Sequence, residues 1–358
     1  MKDIPSNLPL KAYHAITTRM VGELETSHKT CLIGGDQCER AINSHSIPLS
    51  VLRTIAHDGH MFTFPNPTYE ELKQVYSECK YQPKPLGINE ASTFFGFCQN
   101  HDDSIFSEIE KYDIRPTDKQ ILLFYFRAYS KTFYQNINGQ KILKEIYNAK
   151  RPDGHDAIDA LAKVASYFKC QEAAKSDITS DFEKIKSNVC ASKQSGLSSI
   201  FIRINGVPDV MCSVILSPIY DVAGDFLLPL ATGNELDSNQ VLSITISKDS
   251  ISGFILLSYN GKDTMTSYFI DAFIKSNSDC NRLIAVVFGN TENFFFSEKW
   301  WKGLCDERRN MLMYFASVSF LDQADSARNH WKKMYRVLVG RQKAYVNWQI
   351  LSIIHINI

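Results

Sequence analysis

Four side chains able to bind a metal stand in two pairs: Cys31 with Cys38, then Cys98 with His101. Thiolate sulfur and imidazole nitrogen are the donors of structural zinc, which takes four of them in a tetrahedron, commonly as two close pairs. The spacing Cys31-x6-Cys38 exceeds the usual knuckle gap of about two to four residues. Gly34-Gly35 between the two cysteines permits the tight turn that would fold both thiols towards one point. Cys98-x2-His101 has the close spacing of a pair set at the start of a helix. Cys31, Cys38, Cys98 and His101 are therefore read as ligands of a structural Zn2+ ion. The implied order is a knuckle, a β-hairpin, then a helix carrying the last two ligands, which is a treble-clef arrangement. His45 and His60 become rival ligands if the true spacing differs.

The elements around these residues follow from local pattern. HMFTF alternates and is aromatic, so it reads as a strand, while SIPLSVLRTIA reads as a strand entering a short helix. The charged segment 66–84 reads as a helical insert with Leu72, Val75 and Tyr76 inward. CQNHDDSIFSEIEKYD starts a helix with Ile105, Phe106, Ile109 and Tyr112 on one face. In residues 116–190, Thr117 or Asp118 can cap the apolar helix QILLFYFRAYSKTFYQNI, and QKILKEIYNAK forms a second helical stretch. From Ser195 onward SSIFIRI, DVMCSVILSPIY, QVLSITISK, SGFILLSYN and RLIAVVFGN are β-branched or aromatic runs split by turn residues. Asn260-Gly261 is a candidate hairpin turn, and one helix near SYFIDAFIKSN returns across the strands. Residues 294–340 read as helical, and the tail VNWQILSIIHINI as a docked terminal strand or helix.

The expected fold class is α+β. It comprises an N-terminal treble-clef-like zinc domain (1–115), a helical middle (116–194) and a C-terminal, mainly antiparallel β domain with flanking helices (195–358). At 358 residues with 44% hydrophobic and 22% charged content, a chain of two or three globular domains is expected. Lys+Arg and Asp+Glu both number 39, so no overall basic field exists to coat nucleic acid. The first residues, MKDIPSNLPLKAYHAITTRM, lack the apolar run of an export signal. A cytoplasmic location with reduced thiols is expected, which favours metal over disulfide for clustered cysteines. Cys79, Cys170, Cys190, Cys212, Cys280 and Cys305 have no close Cys or His partner, and buried inert thiols are expected for most of them. No window approaches about twenty apolar residues, so no membrane partner is expected.

Ser44-His45-Ser46-Ile47-Pro48 resembles the His-x-Ile-Pro strand of HNH nucleases, which are treble-clef, ββα-metal enzymes. Gly96-Phe97-Cys98-Gln99-Asn100-His101-Asp102 is similar in place and shape to the motif opening their closing helix. The resemblance covers about residues 31–110 and also extends to the N-terminal zinc region of uncharacterised bacterial proteins. It implies a metal-dependent nuclease, in bacterial defence against foreign DNA, with His45 as the base that activates water. Histidine suits that role because its ordinary pKa lies near neutrality. Asp102 would hold a catalytic Mg2+ or Mn2+ ion, helped by Asp103 or His60, and Asn89 would be the middle asparagine. The chain departs from the family where His101 replaces a cysteine, Asp102 replaces the last histidine and Asn89 lies far from Cys98. Its alternative function is a non-catalytic, zinc-stabilised binding protein that recognises a partner protein or ligand through its C-terminal domain. In that case His45 is a structural, hydrogen-bonding histidine.

Other candidates carry weaker signals. Asp209, Asp221, Asp225 and Glu235 match no nuclease spacing and read as turn-capping carboxylates. Phe294–Phe296 with Trp300-Trp301 could stack bases, and more commonly such aromatics fill an interface. Lys332, Lys333, Arg336, Arg341 and Lys343 are either a phosphate-tracking patch or a solvated helix face.

Overall fold

The structure, a computed structural model, describes residues 30–35, 38–65, 71, 78, 81–148, 177–218, 220–225, 227, 240–320 and 345–356. Strand β1 (Ser44–His45), helix α1 (Leu49–Leu52), β2 (His60–Thr63), β3 (Lys84–Gly87) and β4 (Thr93–Phe94) precede helices α2 (Gln99–Glu110) and α3 (Asp118–Asn148). Residues 177–190 form a further helix, α4. Then come β5 (Leu197–Ile204), β6 (Val210–Leu216), β7 (Leu242–Lys248) and β8 (Gly253–Asn260). Helices α5 (Thr264–Lys275) and α6 (Cys280–Asn290), β9 (Phe294–Phe296), α7 (Glu298–Gly303), α8 (Asp306–Phe320) and β10 (Ile350–Ile356) follow.

Eight strands form one sheet in the order β10-β5-β8-β7-β6-β9-β2-β3, with every neighbouring pair antiparallel. The protein is therefore mixed helix and sheet around a large antiparallel sheet. Strands β6, β7 and β8 are buried along nearly their whole length. That pattern arises because helices cover both faces, so no outward polar set is required. On one face Ile202, Ile244, Ile246 and Ile255 pack with Phe269, Phe273, Leu283 and Leu312 of the later helices. On the other face Phe201, Phe254 and Leu256 pack with Phe124 and Tyr125 of α3.

The sheet crosses the boundaries expected at 115 and 194, because β2 and β3 extend it beyond β9. Phe62 pairs with Phe296, and Thr63 Oγ1 donates to the Phe294 carbonyl at 2.8 Å. Phe64 then enters an aromatic cluster, its ring 5.9 Å from those of Phe288 and Trp301, 6.1 Å from Phe294 and 6.0 Å from Phe296. The interface-filling role expected of Phe294–Phe296 and Trp300-Trp301 is the one these buried rings perform.

Several local expectations are corrected. RLIAVVFGN is not a strand but most of α6, because Asp279 caps the helix, accepting from Asn281 N at 2.9 Å, and core surrounds it. A helix apolar all round is what a buried position selects. Phe294–Phe296 is a strand rather than the start of a helical region, recruited by β6 and β2. Two consecutive helices, α5 and α6, occupy the place of the single return helix. Asn260-Gly261 makes no hairpin: Asn260 Oδ1 accepts from Lys262 N at 3.2 Å and the chain turns into α5. The two helices expected after residue 117 are one continuous α3, capped by Thr117 Oγ1 at Gln120 N, 3.3 Å away. Tyr112 falls beyond the end of α2 and is 67% exposed instead of inward. The tail forms the edge strand β10 against β5. Most of the insert 66–84, including Leu72, Val75 and Tyr76, lies outside the described residues, as does the basic run from Lys332 to Lys343.

Phe64 joins the N-terminal segment to the main core, so Phe64→Ala is expected to cost about 3–5 kcal/mol, the range for a buried aromatic. Urea unfolding of the full chain measures this, and a loss under about 1 kcal/mol would show that the cluster is not a stabilising joint.

Candidate metal centre

The loop from Cys31 to Cys38 is shaped by its glycines. Gly34 and Gly35 take φ of 74° and 111°, the left-handed region that side chains disfavour. Gly34 N donates to the Cys31 carbonyl at 3.1 Å, and Cys38 N to the Gly35 carbonyl at 3.1 Å, which folds the two thiols back together. Leu32 N and Ile42 N donate to the carbonyls of Gly96 and Phe97, both at 2.8 Å, which lays this loop against the residues before α2. Strands β1 and β4 pair antiparallel beside it. Cys98 occupies the N-cap of α2, and His101 lies one turn along.

One sulfur from each of Cys31, Cys38 and Cys98 and one ring nitrogen of His101 lie within 4.8 Å of one another. His101 Nδ1 is 3.4 Å from Cys31 Sγ, 3.4 Å from Cys38 Sγ and 3.3 Å from Cys98 Sγ. A tetrahedral zinc with bonds of about 2.3 Å to sulfur and about 2.0 Å to nitrogen holds such atoms about 3.5 Å apart. The four residues thus fit a metal ion such as zinc in donor type, number and spacing. Desolvation and the neighbouring sulfurs of Cys31 and Cys98 push the Cys38 thiol up to about 11. A divalent cation would reverse that balance by deprotonating its thiol ligands.

The rival ligands are elsewhere. His45 lies outside the group, and His60 Nδ1 instead meets the Asp58 carbonyl at 2.8 Å on the surface. Cys212 and Cys280 are buried thiols, as expected, with burial raising each to about 12, whereas Cys190 and Cys305 are exposed. Cys79 and Cys170 are outside the described residues. Among the carboxylates outside this region, Asp221 Oδ1 caps a turn by accepting from Ala223 N and Asp225 N, both at 2.8 Å; Glu235 is outside the described residues.

The residues of the implied catalytic set are placed as follows. His45 is half-buried on β1, and its Nε2 is 3.4 Å from the carbonyl of Ile88. Burial lowers its pKa, the Ile88 carbonyl opposes that, and the charges of Arg127 and Lys131 lower it further. Asn89 is exposed in the turn following β3, next to Ile88. Asp102 lies in the first turn of α2 and its carboxyl is raised, chiefly by burial, against the pull of Arg127. The Ser44 hydroxyl eases that ionisation, yet neither Ser44 Oγ nor Asp102 Oδ1 completes a well-formed hydrogen bond. Side chains alternate along a strand, so Ser44 and His45 leave β1 on opposite sides, while His45 and Asp102 both feel the charges of Arg127 and Glu110. Asp103 accepts from Gln99 Nε2 at 2.7 Å on the surface.

Two buried cations on α3 have no counterpart in the motif-based reading. Arg127, 1% exposed, pairs with Glu110 and lies with Cζ 4.1 Å above the Phe106 ring. Lys131 is also buried and donates to Asn293 Oδ1 at 2.8 Å. The signal available in the sequence was an Arg and a Lys inside an otherwise apolar helix, since such residues are seldom buried without a partner. Against known protein families, curated proteins and solved structures, the chain matches none.

Purified protein is expected to hold one zinc per chain by elemental analysis. Cys98→Ser or strong chelation is expected to release it and lower the melting midpoint by about 5 °C or more, while Cys305→Ser leaves both unchanged. Retention of zinc in Cys98→Ser would remove that residue from the centre. For His45, the unfolded chain takes up a proton before the folded one does, because the folded pKa is lowered from 6.5. Its contribution to stability is therefore present above pH 6.5 and lost as pH falls below it. His45→Gln is expected to flatten the stability–pH curve in that acid window, and an unchanged slope would contradict the burial of a neutral imidazole.

Proposed function

We propose that the chain is a non-catalytic, zinc-stabilised binding protein, in which a treble-clef-like N-terminal segment is clamped by a structural Zn2+ ion. The recognition site lies on the adjoining antiparallel sheet. Support comes above all from the four protein donors of Cys31, Cys38, Cys98 and His101, which by themselves fill a tetrahedral shell. Catalytic zinc sites keep a position open for water or substrate, whereas closed sites hold structure. Among the described residues this is the one group of three or more Cys, His, Asp or Glu side chains close enough to share an ion.

A second proposal is the HNH-like nuclease acting on DNA with Mg2+ or Mn2+, including the bacterial defence role that the family resemblance implies. His45 favours it. Burial keeps the imidazole neutral, and if Nε2–H donates to the Ile88 carbonyl, Nδ1 is left as a proton acceptor. Such a metal ion would supply charge stabilisation at the phosphodiester. Among the described residues neither His45 nor Asp102 belongs to a group of three or more ligand side chains close enough to share an ion, which weighs against a second metal site.

Plasmid DNA incubated with Mg2+ or Mn2+ separates the two. The binding role predicts no cleavage above that of His45→Ala at equal protein concentration. Cleavage by the natural protein that His45→Ala abolishes would establish the nuclease and overturn the non-catalytic role.

A further inference from the structure

A cavity of about 460 Å³ opens between α3, β6 and the turn from α6 to β9. That volume lies within the range of small-molecule sites. Lys131, Thr132, Gln135, Asn136, Asn290 and Glu292 contribute to its wall, with Ser213 behind them. Lys131 is held in a defined place. Its Nζ donates to Asn293 Oδ1 at 2.8 Å, and the amide of Asn293 is fixed in turn by Nδ2 donating to Ser46 Oγ at 2.9 Å and to the Ser213 carbonyl at 2.6 Å. Ser46 Oγ is 2.5 Å from Ser92 Oγ, so this chain of hydrogen bonds ties the cavity wall to the segment beside the metal centre. Burial lowers the lysine to about 7, with Glu292 opposing, and burial raises Glu292. A lysine lowered in this way has more of its amine free to act as a nucleophile, and a carboxyl raised from its ordinary value is better matched to act as a general acid.

We propose that this cavity binds a small, uncharged, hydroxylated aldehyde or ketone of about monosaccharide size, and that Lys131 Nζ condenses with its carbonyl carbon as a reversible imine. The proposal rests on the sheet carrying a ligand site, and it names that ligand's chemistry. Amides and hydroxyls of Thr132, Gln135, Asn136 and Asn290 match the hydroxyls of such a molecule. Among the described residues no arginine lines the cavity, so no guanidinium fork is present to clamp an anionic group. In the reaction the Nζ lone pair attacks the carbonyl carbon, and a proton moves from nitrogen to oxygen to give the carbinolamine. Glu292 then protonates the hydroxyl, the C–O bond breaks, and water leaves as the C=N bond forms. The resulting iminium faces the Glu292 carboxylate. One amine and one carbonyl yield one imine and one water, with no oxidant or reductant.

The test uses the full-length, metal-loaded protein with glycolaldehyde as the probe and cyanoborohydride to trap the imine, at pH 7.4, followed by peptide mass spectrometry. A lysine with pKa near 10.4 is only about 0.1% free amine at that pH, so Lys131 is expected to be labelled at least about tenfold faster than exposed Lys262 and Lys302 in the same sample. Glu292→Gln is expected to slow trapping at Lys131 and leave the exposed lysines unchanged. Labelling of Lys131 no faster than of Lys262 and Lys302 would overturn the proposal. The comparison is made within the natural protein, so it does not depend on a variant folding. Selective labelling together with His45-dependent DNA cleavage would uphold the cavity's chemistry while removing the non-catalytic role.

Discussion

Three thiols and an imidazole brought within 4.8 Å of one another are the constraint on which the N-terminal half depends. Burial and, after it, the neighbouring sulfurs of Cys31 and Cys98 push the Cys38 thiol up to about 11. With a cation bound, they tie the loop at Cys31–Cys38 to the first turn of α2. Phe97 and Phe106 behind that turn pack on Phe126 of α3, with ring centroids 5.8 and 6.1 Å away. Helix α3 in turn covers one face of the sheet. The Cys31–Cys38 loop thus packs, through the start of α2, towards α3, and α3 carries side chains that line the cavity.

The polar interior follows from the same geometry. Arg127 and Lys131 are four residues apart and share a face of α3. Both side chains are buried in the fold; Arg127 pairs with the partly exposed Glu110, and Lys131, in the cavity wall, with the buried Asn293. Asn293 contacts Lys131, Ser46 and the backbone of β6 at once.

Much of this was legible in the sequence because it is local. The four donors stand out by residue type, the double glycine marks its turn, and HMFTF, SSIFIRI and SGFILLSYN carry strand character in a few residues. What was not legible depended on distant partners. RLIAVVFGN has strand composition, and only the Asp279 cap and the core around it make it a helix. Phe294–Phe296 becomes a strand because β6 and β2 stand on either side. The Lys131 cavity unites α3 with a turn more than 150 residues later, as the Lys131–Asn293 separation of 162 positions records. No short motif encodes such a meeting.

X-ray absorption at the zinc edge of the purified protein tests the central claim most directly. A closed structural centre predicts one zinc with about three sulfur neighbours at roughly 2.3 Å and one nitrogen at roughly 2.0 Å, unchanged by added ligand or DNA. A first shell dominated by oxygen and nitrogen, or one retaining an exchangeable water, would contradict it.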